Sequence, residues 1–570
     1  MKNPLDILNQ YWGYTQFRPQ QKEVIEAVMA GNDVLTLLPT GAGKSLCFQI
    51  PTLAEEGVCV IISPLIALMQ DQVKDLLDKN ISAVNLGGQL SQDAESLILE
   101  AALKGKYKFI YCSPEKLAQS HFQSFLSNLN IQLFAIDEAH CISQWGYDFR
   151  PSYRKLSILK KLFPKVPILA MTASAIPMVQ EDIIKQLSLQ KAVVITDSFL
   201  RPNIKYSIHQ VPVKLYSCRL ILNEIKGAVI IYCNTRNNVS QLTQLLKAYQ
   251  FKVAEYHAGL SIETRQRNQQ AWMNDEIQIM VSTSAFGMGI NKGGVRAVIH
   301  YDIPGSLEQY YQEAGRAGRD GLPASAILLF QQNDWEYWQM VQEKKYPSIK
   351  TIKKVYQDLA DFVQLPIGMG EKQQFLFDFE SFCLRFEWDK MTARNALQWI
   401  EQEGHVKFSA SSFKPSMVQV IADRQMLEDF EKENNILSIV LQNILRTYGG
   451  VLDSPQYINE QLLAQLLQRD VTFVQNSLVS LQNKGMIQFE QKENQPVVQF
   501  LWNRASAAHM KIDLDNYQLR QKAFLERVKQ FSDYIWGKNE PCRSIFLAKY
   551  FGENNPIRCK ICDLCTSTKK

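Results

Sequence analysis

The 570-residue chain lacks several things, and each absence narrows its class. No apolar run approaches the roughly 20 residues that a membrane-spanning helix needs, so no membrane partner is expected. The first 30 residues mix Lys, Asp, Gln and Pro, without a basic start, an apolar centre and a small-residue cleavage site. No secretory signal is read there, and a cytoplasmic location, nucleoid-associated in a bacterium, is expected. Strong basicity is missing too: 62 Lys and Arg against 57 Asp and Glu leave a net charge of +5, short of the footprint of a dedicated nucleic-acid domain. Cysteine is thinly spread. Seven of the 11 (Cys47, Cys59, Cys112, Cys141, Cys218, Cys233 and Cys383) are scattered, mostly in apolar strand-like settings, and the other four crowd into the last 29 residues. A free thiol in an apolar strand acts as a small core residue; the terminal group needs another explanation.

What is present is an α/β rhythm. From Asp33 to Ala173 the runs "DVLTLL", "VCVIIS", "KFIYCS", "LFAID" and "ILAMTAS" alternate with helical patterns, and after Gln210 the rhythm restarts with "AVIIYCN", "KVAEYH", "IQIMVSTS" and "RAVIHYD". Continuous apolar strands separated by helices predict parallel sheets covered on both faces, here in two successive α/β domains. Beyond about residue 345 the pattern turns helical. Two stretches there, from Phe382 and from Leu463, superimpose on a shift of 81 residues, pairing Asp389 with Asp470, Leu397 with Leu478, Ile400 with Leu481, Gly404 with Gly485 and Val406 with Ile487. Each reads as helix, polar turn, helix, helix-ending glycine and strand, the outline of a winged helix, so two in tandem are predicted.

The chemistry starts at "LLPTGAGKSLCFQIP". After a strand and at the head of a helix, Thr40, Gly41, Ala42 and Gly43 form a loop whose N–H groups can wrap phosphates. Lys44 reaches the β- and γ-phosphates, and Ser45 can hold Mg²⁺. The strict pattern asks for glycine at position 38, where Leu38 stands. "DEAH" then offers Asp137 for the Mg²⁺ shell and Glu138 to orient or deprotonate water. "QEAGRAGRDG" adds Gln312, Arg316 and Arg319 from the second α/β domain, placing ATP in a cleft between two lobes that binding closes and hydrolysis releases. At the far end Cys542, Cys559, Cys562 and Cys565 are spaced C-x16-C-x2-C-x2-C. Four thiolates so spaced can close a tetrahedral Zn²⁺ shell with no open position, a structural site.

Along most of its length the chain resembles the RecQ DNA helicases of helicase superfamily two. The resemblance rests on "YTQFRPQQ", "ISPLIALMQDQV", "MTASA", "YHAGL", "STSAFGMGINKGGVRAVIHYDIP" and "YYQEAGRAGRDG", with the cysteine module around "YFGE". It implies that Tyr14 and Arg18 stack on adenine and that Gln21 hydrogen-bonds its edge. It also implies that "CISQWGYDFRPSY" is the aromatic-rich loop coupling single-stranded DNA to hydrolysis, with Gln144, Trp145, Phe149 and Arg150 on the strand; stacking on aromatic faces gives such a loop a sequence-tolerant grip. The implied architecture is two tandem RecA-like lobes, 1–207 and 208–342, then a winged-helix-like region, 343–515, and a zinc module, 516–570. The implied activity is an ATP-, Mg²⁺- and Zn²⁺-dependent helicase, monomeric, moving 3′ to 5′ on single-stranded DNA and acting on branched DNA in recombination and repair.

One departure stands out. The family's usual order puts the zinc module directly after the second lobe and a winged helix after it; here the stretch 320–541 comes first, and no C-terminal helicase-and-RNaseD domain is expected. An RNA helicase is disfavoured by the aromatic loop and the cysteines. An inactive DNA-binding scaffold is disfavoured by the intact Lys44, Asp137, Glu138, Gln312 and Arg319.

Overall fold

The computed structural model describes residues 2–567 except 40, 89–91, 144, 147–149, 288–291, 410–415, 433–435, 453, 491–495 and 507–508. The chain forms two compact units. The first joins residues 1–339 to 516–570, and the second is 340–515, so in sequence the second unit interrupts the first.

The first unit holds two parallel sheets of RecA-like type. The strands of one are β1 (Val34–Leu37), β2 (Val58–Ile62), β3 (Ala83–Asn85), β4 (Phe109–Cys112), β5 (Ile131–Ile136), β6 (Ile168–Thr172) and β7 (Val193–Thr196). Their spatial order is β3-β4-β2-β5-β6-β1-β7, and all its pairings are parallel. The other contains β8 (Ile204–Gln210), β9 (Ala228–Tyr232), β10 (Val253–Tyr256), β11 (Ile279–Ser282), β12 (Val295–His300) and β13 (Ala324–Phe330), ordered β10-β11-β9-β12-β13-β8 and again parallel. β8 runs across the 207/208 division and pairs with β13. Central strands are mostly apolar because both faces are covered. Along β2, Val60 and Ile62 enter one core cluster while Cys59 and Ile61 enter another. The larger cluster is continuous from the first sheet through the second to Phe531, Tyr534 and Cys542 of the zinc module.

The second unit holds two three-stranded antiparallel sheets, and it corrects the tandem reading. Its strands are β14 (Gln374–Leu376), β15 (Val406–Ser409), β16 (Met417–Val420), β17 (Gln456–Tyr457), β18 (Ile487–Glu490) and β19 (Val497–Phe500). β15 pairs with β19, and β16 pairs with β18. The second winged helix is therefore nested inside the wing of the first. Its own wing strand comes at the front of the segment instead of the back, as in a circular permutation. The repeat seen in the sequence is otherwise real in three dimensions. Asp389 and Asp470 cap the helices Lys390–Gln402 and Val471–Asn483 by accepting from Thr392 N and Phe473 N, and Gly404 and Gly485 follow those helices at φ +75° and +71°. Phe382 and Leu463 are fully buried in the equivalent place. No described helix is long and apolar enough to cross a membrane.

Candidate functional site

The loop after β1 turns on two glycines with left-handed backbone, Gly41 at φ +86° and Gly43 at φ +78°, before the helix Leu46–Ala54. A side chain there would also displace its neighbours. A Cβ on Gly43 would lie 2.4 Å from Gln21 Nε2, and one on Gly41 3.2 Å from Arg319 Cγ. Leu38, at the position where the strict motif has glycine, is 1% exposed and belongs to the core, so an apolar residue is what the fold needs. Its carbonyl accepts a bond from Lys44 Nζ at 3.1 Å. Burial pushes the Lys44 pKa down, against the pull of Glu138 and Asp137. Thr40 lies outside the described residues.

The acids follow β5. Asp137 is buried, and burial followed by the charge of Glu138 pushes its pKa up to about 6. A bound cation beside such a carboxylate restores its ionised form. Glu138 sits at φ +47°, a left-handed backbone that costs a non-glycine residue about 1–3 kcal/mol and concentrates at functional sites. His140 Nδ1 lies 3.4 Å from Glu138 Oε2 and 2.9 Å from Thr172 Oγ1. Thr172 Oγ1 accepts from Ser174 N at 3.3 Å, and Ser174 Oγ accepts from Gln312 Nε2 at 2.8 Å. A polar relay thus runs from the DEAH acids to the second lobe. Thr172 and Ser174 were not singled out by sequence reasoning, although "MTASA" was their visible signal.

One cavity of about 800 Å³ gathers Tyr14, Arg18, Gln21, Gly41, Gly43, Lys44, Ser45, Asp137, Glu138, Gln312, Arg316 and Arg319. Asp71 and Gln72, near the end of the "ISPLIALMQDQV" stretch, also line it, as does Asp75 just beyond that stretch. Ala42 is buried, and its carbonyl accepts from Gln21 Nε2 at 2.7 Å. Gln21 Oε1 meanwhile accepts from Arg18 N at 3.0 Å, capping its own helix Pro19–Met29, so the Nε2 end braces the phosphate loop while the Oε1 end fixes the helix start. Arg18 Nη1 donates to Gly41 O at 2.9 Å, and Tyr14 is 59% exposed at the rim. Arg316 donates to Gly287 O, where a Cβ would strike the guanidinium.

The described residues of the aromatic-rich loop do not line this cavity. Of its residues Gln144, Tyr147, Asp148 and Phe149 fall outside the described set. Trp145 is half-buried against the main core, and its N–H donates to Ser143 Oγ at 3.2 Å. Gly146 cannot carry a side chain without meeting His140 O at 3.0 Å. Arg150 Nη1 donates to Pro64 O at 3.3 Å. Tyr153, fully buried, donates from its hydroxyl to Asp137 O at 2.9 Å, tying the end of the loop to the DEAH strand.

The thiols of Cys542, Cys559, Cys562 and Cys565 lie within 4.8 Å of one another, with Cys542 and Cys559 at 3.4 Å and Cys542 and Cys562 at 3.9 Å. Tetrahedral Zn²⁺ with Zn–S near 2.3 Å requires sulfurs about 3.8 Å apart, so the group fits. Backbone N–H groups of Arg543 and Cys562 point at Cys562 Sγ and Cys559 Sγ, as thiolates demand. The module grips the segment between the two lobes. Glu553 accepts from Ser198 Oγ and Phe199 N, both at 2.9 Å, and Phe551 stacks on Phe199 at 4.8 Å. Asp563 accepts from Ile208 N at 2.9 Å on edge strand β8 and is held by Arg543 at 2.9 and 3.1 Å.

Comparison with known proteins adds four family matches: DEAD/DEAH box helicase over 18–183, helicase conserved C-terminal domain over 213–321, RecQ helicase winged-helix domain (Bacteroidota) over 418–491, and RecQ zinc-binding over 503–566. The first implies ATP and Mg²⁺ at the cavity, and the last, with the four thiols, implies zinc. The chain is 42% identical over 363 residues to the ATP-dependent DNA helicase RecQ of Pasteurella multocida, covering 63% of this chain and 57% of that protein. It is 37% identical over 383 residues to the "Probable ATP-dependent DNA helicase RecS" of Bacillus subtilis, covering 64% of this chain and 76% of that protein. It spans little more than half the length of the RecQ relatives from P. multocida and Haemophilus influenzae. Among solved structures, Mss116p bound to ssRNA and AMP-PNP superimposes with TM-score 0.51 at 16% identity, covering 70% of this chain and 89% of that one, a likeness of fold alone.

Proposed function

Because the chain belongs to the RecQ helicase family, we propose that it is an ATP-dependent DNA helicase that moves 3′ to 5′ on single-stranded DNA and opens duplex or branched DNA in recombination and repair. The observation that carries this reading is the convergence of Gln312 and Arg319, from the second lobe, on the phosphate loop and DEAH acids of the first, in one cavity. A site assembled from two lobes makes nucleotide occupancy and lobe closure the same event.

In this reading Lys44 and the loop N–H groups bind the triphosphate, with Tyr14 and Arg18 against the base and Gln21, which also lines the cavity, hydrogen-bonding the edge of the base. Ser45 and Asp137 would hold Mg²⁺, which supplies positive charge to the phosphate oxygens. Glu138 orients the attacking water and takes its proton, and Arg319, with Arg316 behind it, faces the departing phosphate. Trp145 and Arg150, with Gln144 and Phe149, contact the DNA strand. The lobes 1–207 and 208–342 form the motor, 343–515 adds DNA contacts, and 516–570 braces the motor; the protein acts as a monomer in the cytoplasm at the nucleoid.

The test is phosphate release with no nucleic acid, with single-stranded DNA and with RNA, followed by unwinding of duplexes tailed at either end. Stimulation by DNA and opening of 3′-tailed substrates are expected; a rate indifferent to DNA overturns the reading. Trp145→Ala is expected to abolish the stimulation while leaving ATP binding intact, because it removes a base-stacking face worth about 1–3 kcal/mol per stacked base from a residue that does not line the nucleotide cavity. Equal loss of both would count against coupling through the loop.

A further inference from the structure

The helix Leu514–Ile535 leads into the zinc module, and Arg527, near its middle, touches neither the cavity nor the cysteines. Its Nη1 donates to the backbone carbonyl of Trp145 in the loop after the DEAH box. The same nitrogen lies 3.8 Å from Glu308 Oε1. Glu308 is a carboxylate whose side chain is only 4% exposed, and a buried carboxylate requires a cation or donors beside it. It sits in the first turn of the helix Leu307–Ala314, and Gln312 follows one turn later on the same face.

We infer that Arg527 is a positioning residue that ties the aromatic-rich loop of the first lobe to the helix carrying Gln312 in the second, so that a shift of the loop is delivered to the ATP site through the second lobe as well as through the DEAH acids. The inference rests on the helicase reading and adds a part to it. Two covalent and hydrogen-bonded routes already lead from the loop to the first lobe's acids, through Glu138 itself and through Tyr153. The first continues to the second lobe through His140, Thr172 and Ser174 to Gln312. The guanidinium adds a second link that bypasses the DEAH acids, because it can meet a carbonyl and a carboxylate at once. A bond to a main-chain carbonyl also follows the loop's path and not its side chains, so the link reports loop position whichever base is stacked.

The experiment measures basal and DNA-stimulated ATP turnover, KM for ATP and thermal melting for the full chain, Arg527→Ala, Glu308→Gln and the double variant. The stimulated-to-basal ratio is expected to fall about tenfold in Arg527→Ala, within the range of coupling between sites. Basal rate and KM stay close to those of the parent, while Arg527→Ala, which leaves the Glu308 carboxylate buried without its cation, lowers the melting temperature. Glu308→Gln, which keeps the shape of the side chain, is expected to lower the same ratio, and the double variant no further than the worse single one, since both act through one contact. Retention of the ratio within about twofold in Arg527→Ala, or additive losses in the double variant, overturns the inference. If Arg527→Ala does not fold, Glu308→Gln decides alone: an unchanged ratio overturns it. A parent protein without DNA stimulation would instead overturn the helicase reading.

Discussion

Arg319→Ala is expected to slow DNA-stimulated ATP hydrolysis by about 10³-fold or more, the lower end of what a transition-state arginine contributes; 10³ corresponds to about 4 kcal/mol of barrier. Arg319 is half-buried and its aliphatic stem lies against Gly41 of the phosphate loop. Burial, then the adjacent positive charge of Arg316, push its pKa down to about 9, so it remains cationic at neutral pH but is held at an electrostatic cost. A phosphate that gains negative charge as it departs relieves that cost more than the ground state does, which is how a fixed cation accelerates a step. The measurement is single-turnover hydrolysis at saturating ATP and DNA beside nucleotide affinity. A large fall in rate with affinity changed only severalfold is expected, and a variant that keeps a tenth of the parent rate would remove Arg319 from this role. Arg316, already committed to the Gly287 carbonyl, is the weaker candidate for direct contact.

Cys559→Ser, or chelation of the parent, is expected to remove about one zinc per chain and to collapse the module together with the geometry of the segment between the lobes. Structural zinc contributes about 10–16 kcal/mol to the folding of isolated zinc modules at neutral pH. Here the folded module holds three backbone or side-chain donors of its neighbours, at Ser198, Phe199 and Ile208. Losing it exposes Phe199 and Phe551 and frees an edge strand, so the melting transition of the motor should fall along with that of the module, and DNA-stimulated turnover with it. Elemental analysis and thermal melting check both halves. Fewer than about one zinc per parent chain would remove the metal assignment, and an unchanged motor transition after zinc loss would remove the bracing role.

How far the sequence could be read depended on burial. Central strands such as β2, β4, β6 and β9 are buried at every position, and their unbroken apolar runs were visible. β3, β7 and β8 lie at sheet edges and carry polar residues among the apolar ones, because an edge strand buries less. The Ile204–Gln210 stretch accordingly reads as irregular although it completes the second sheet. At the candidate site, residues fixed by spacing were legible: two glycines, a lysine, adjacent acids, paired arginines. Asp75 reaches the cavity from the helix Ile66–Leu77 beyond the end of "ISPLIALMQDQV" and has no signature of its own, and Ser174 matters only because Gln312 comes to meet it.

The sequence alone determined the two parallel-sheet lobes, the phosphate loop with its acids, the four-thiol group and the internal repeat around Phe382 and Leu463. Each of these is set by residues within one turn, one strand or one short spacing, where backbone geometry leaves few alternatives. Tertiary structure decided which strand completes each wing, which end of Gln21 is spent on the loop, how the cysteine module reaches Ser198 and Ile208, and that Arg527 faces both Trp145 and Glu308. Those pairings join residues up to several hundred positions apart, and they are selected by which surfaces are buried together, a quantity that local pattern does not carry.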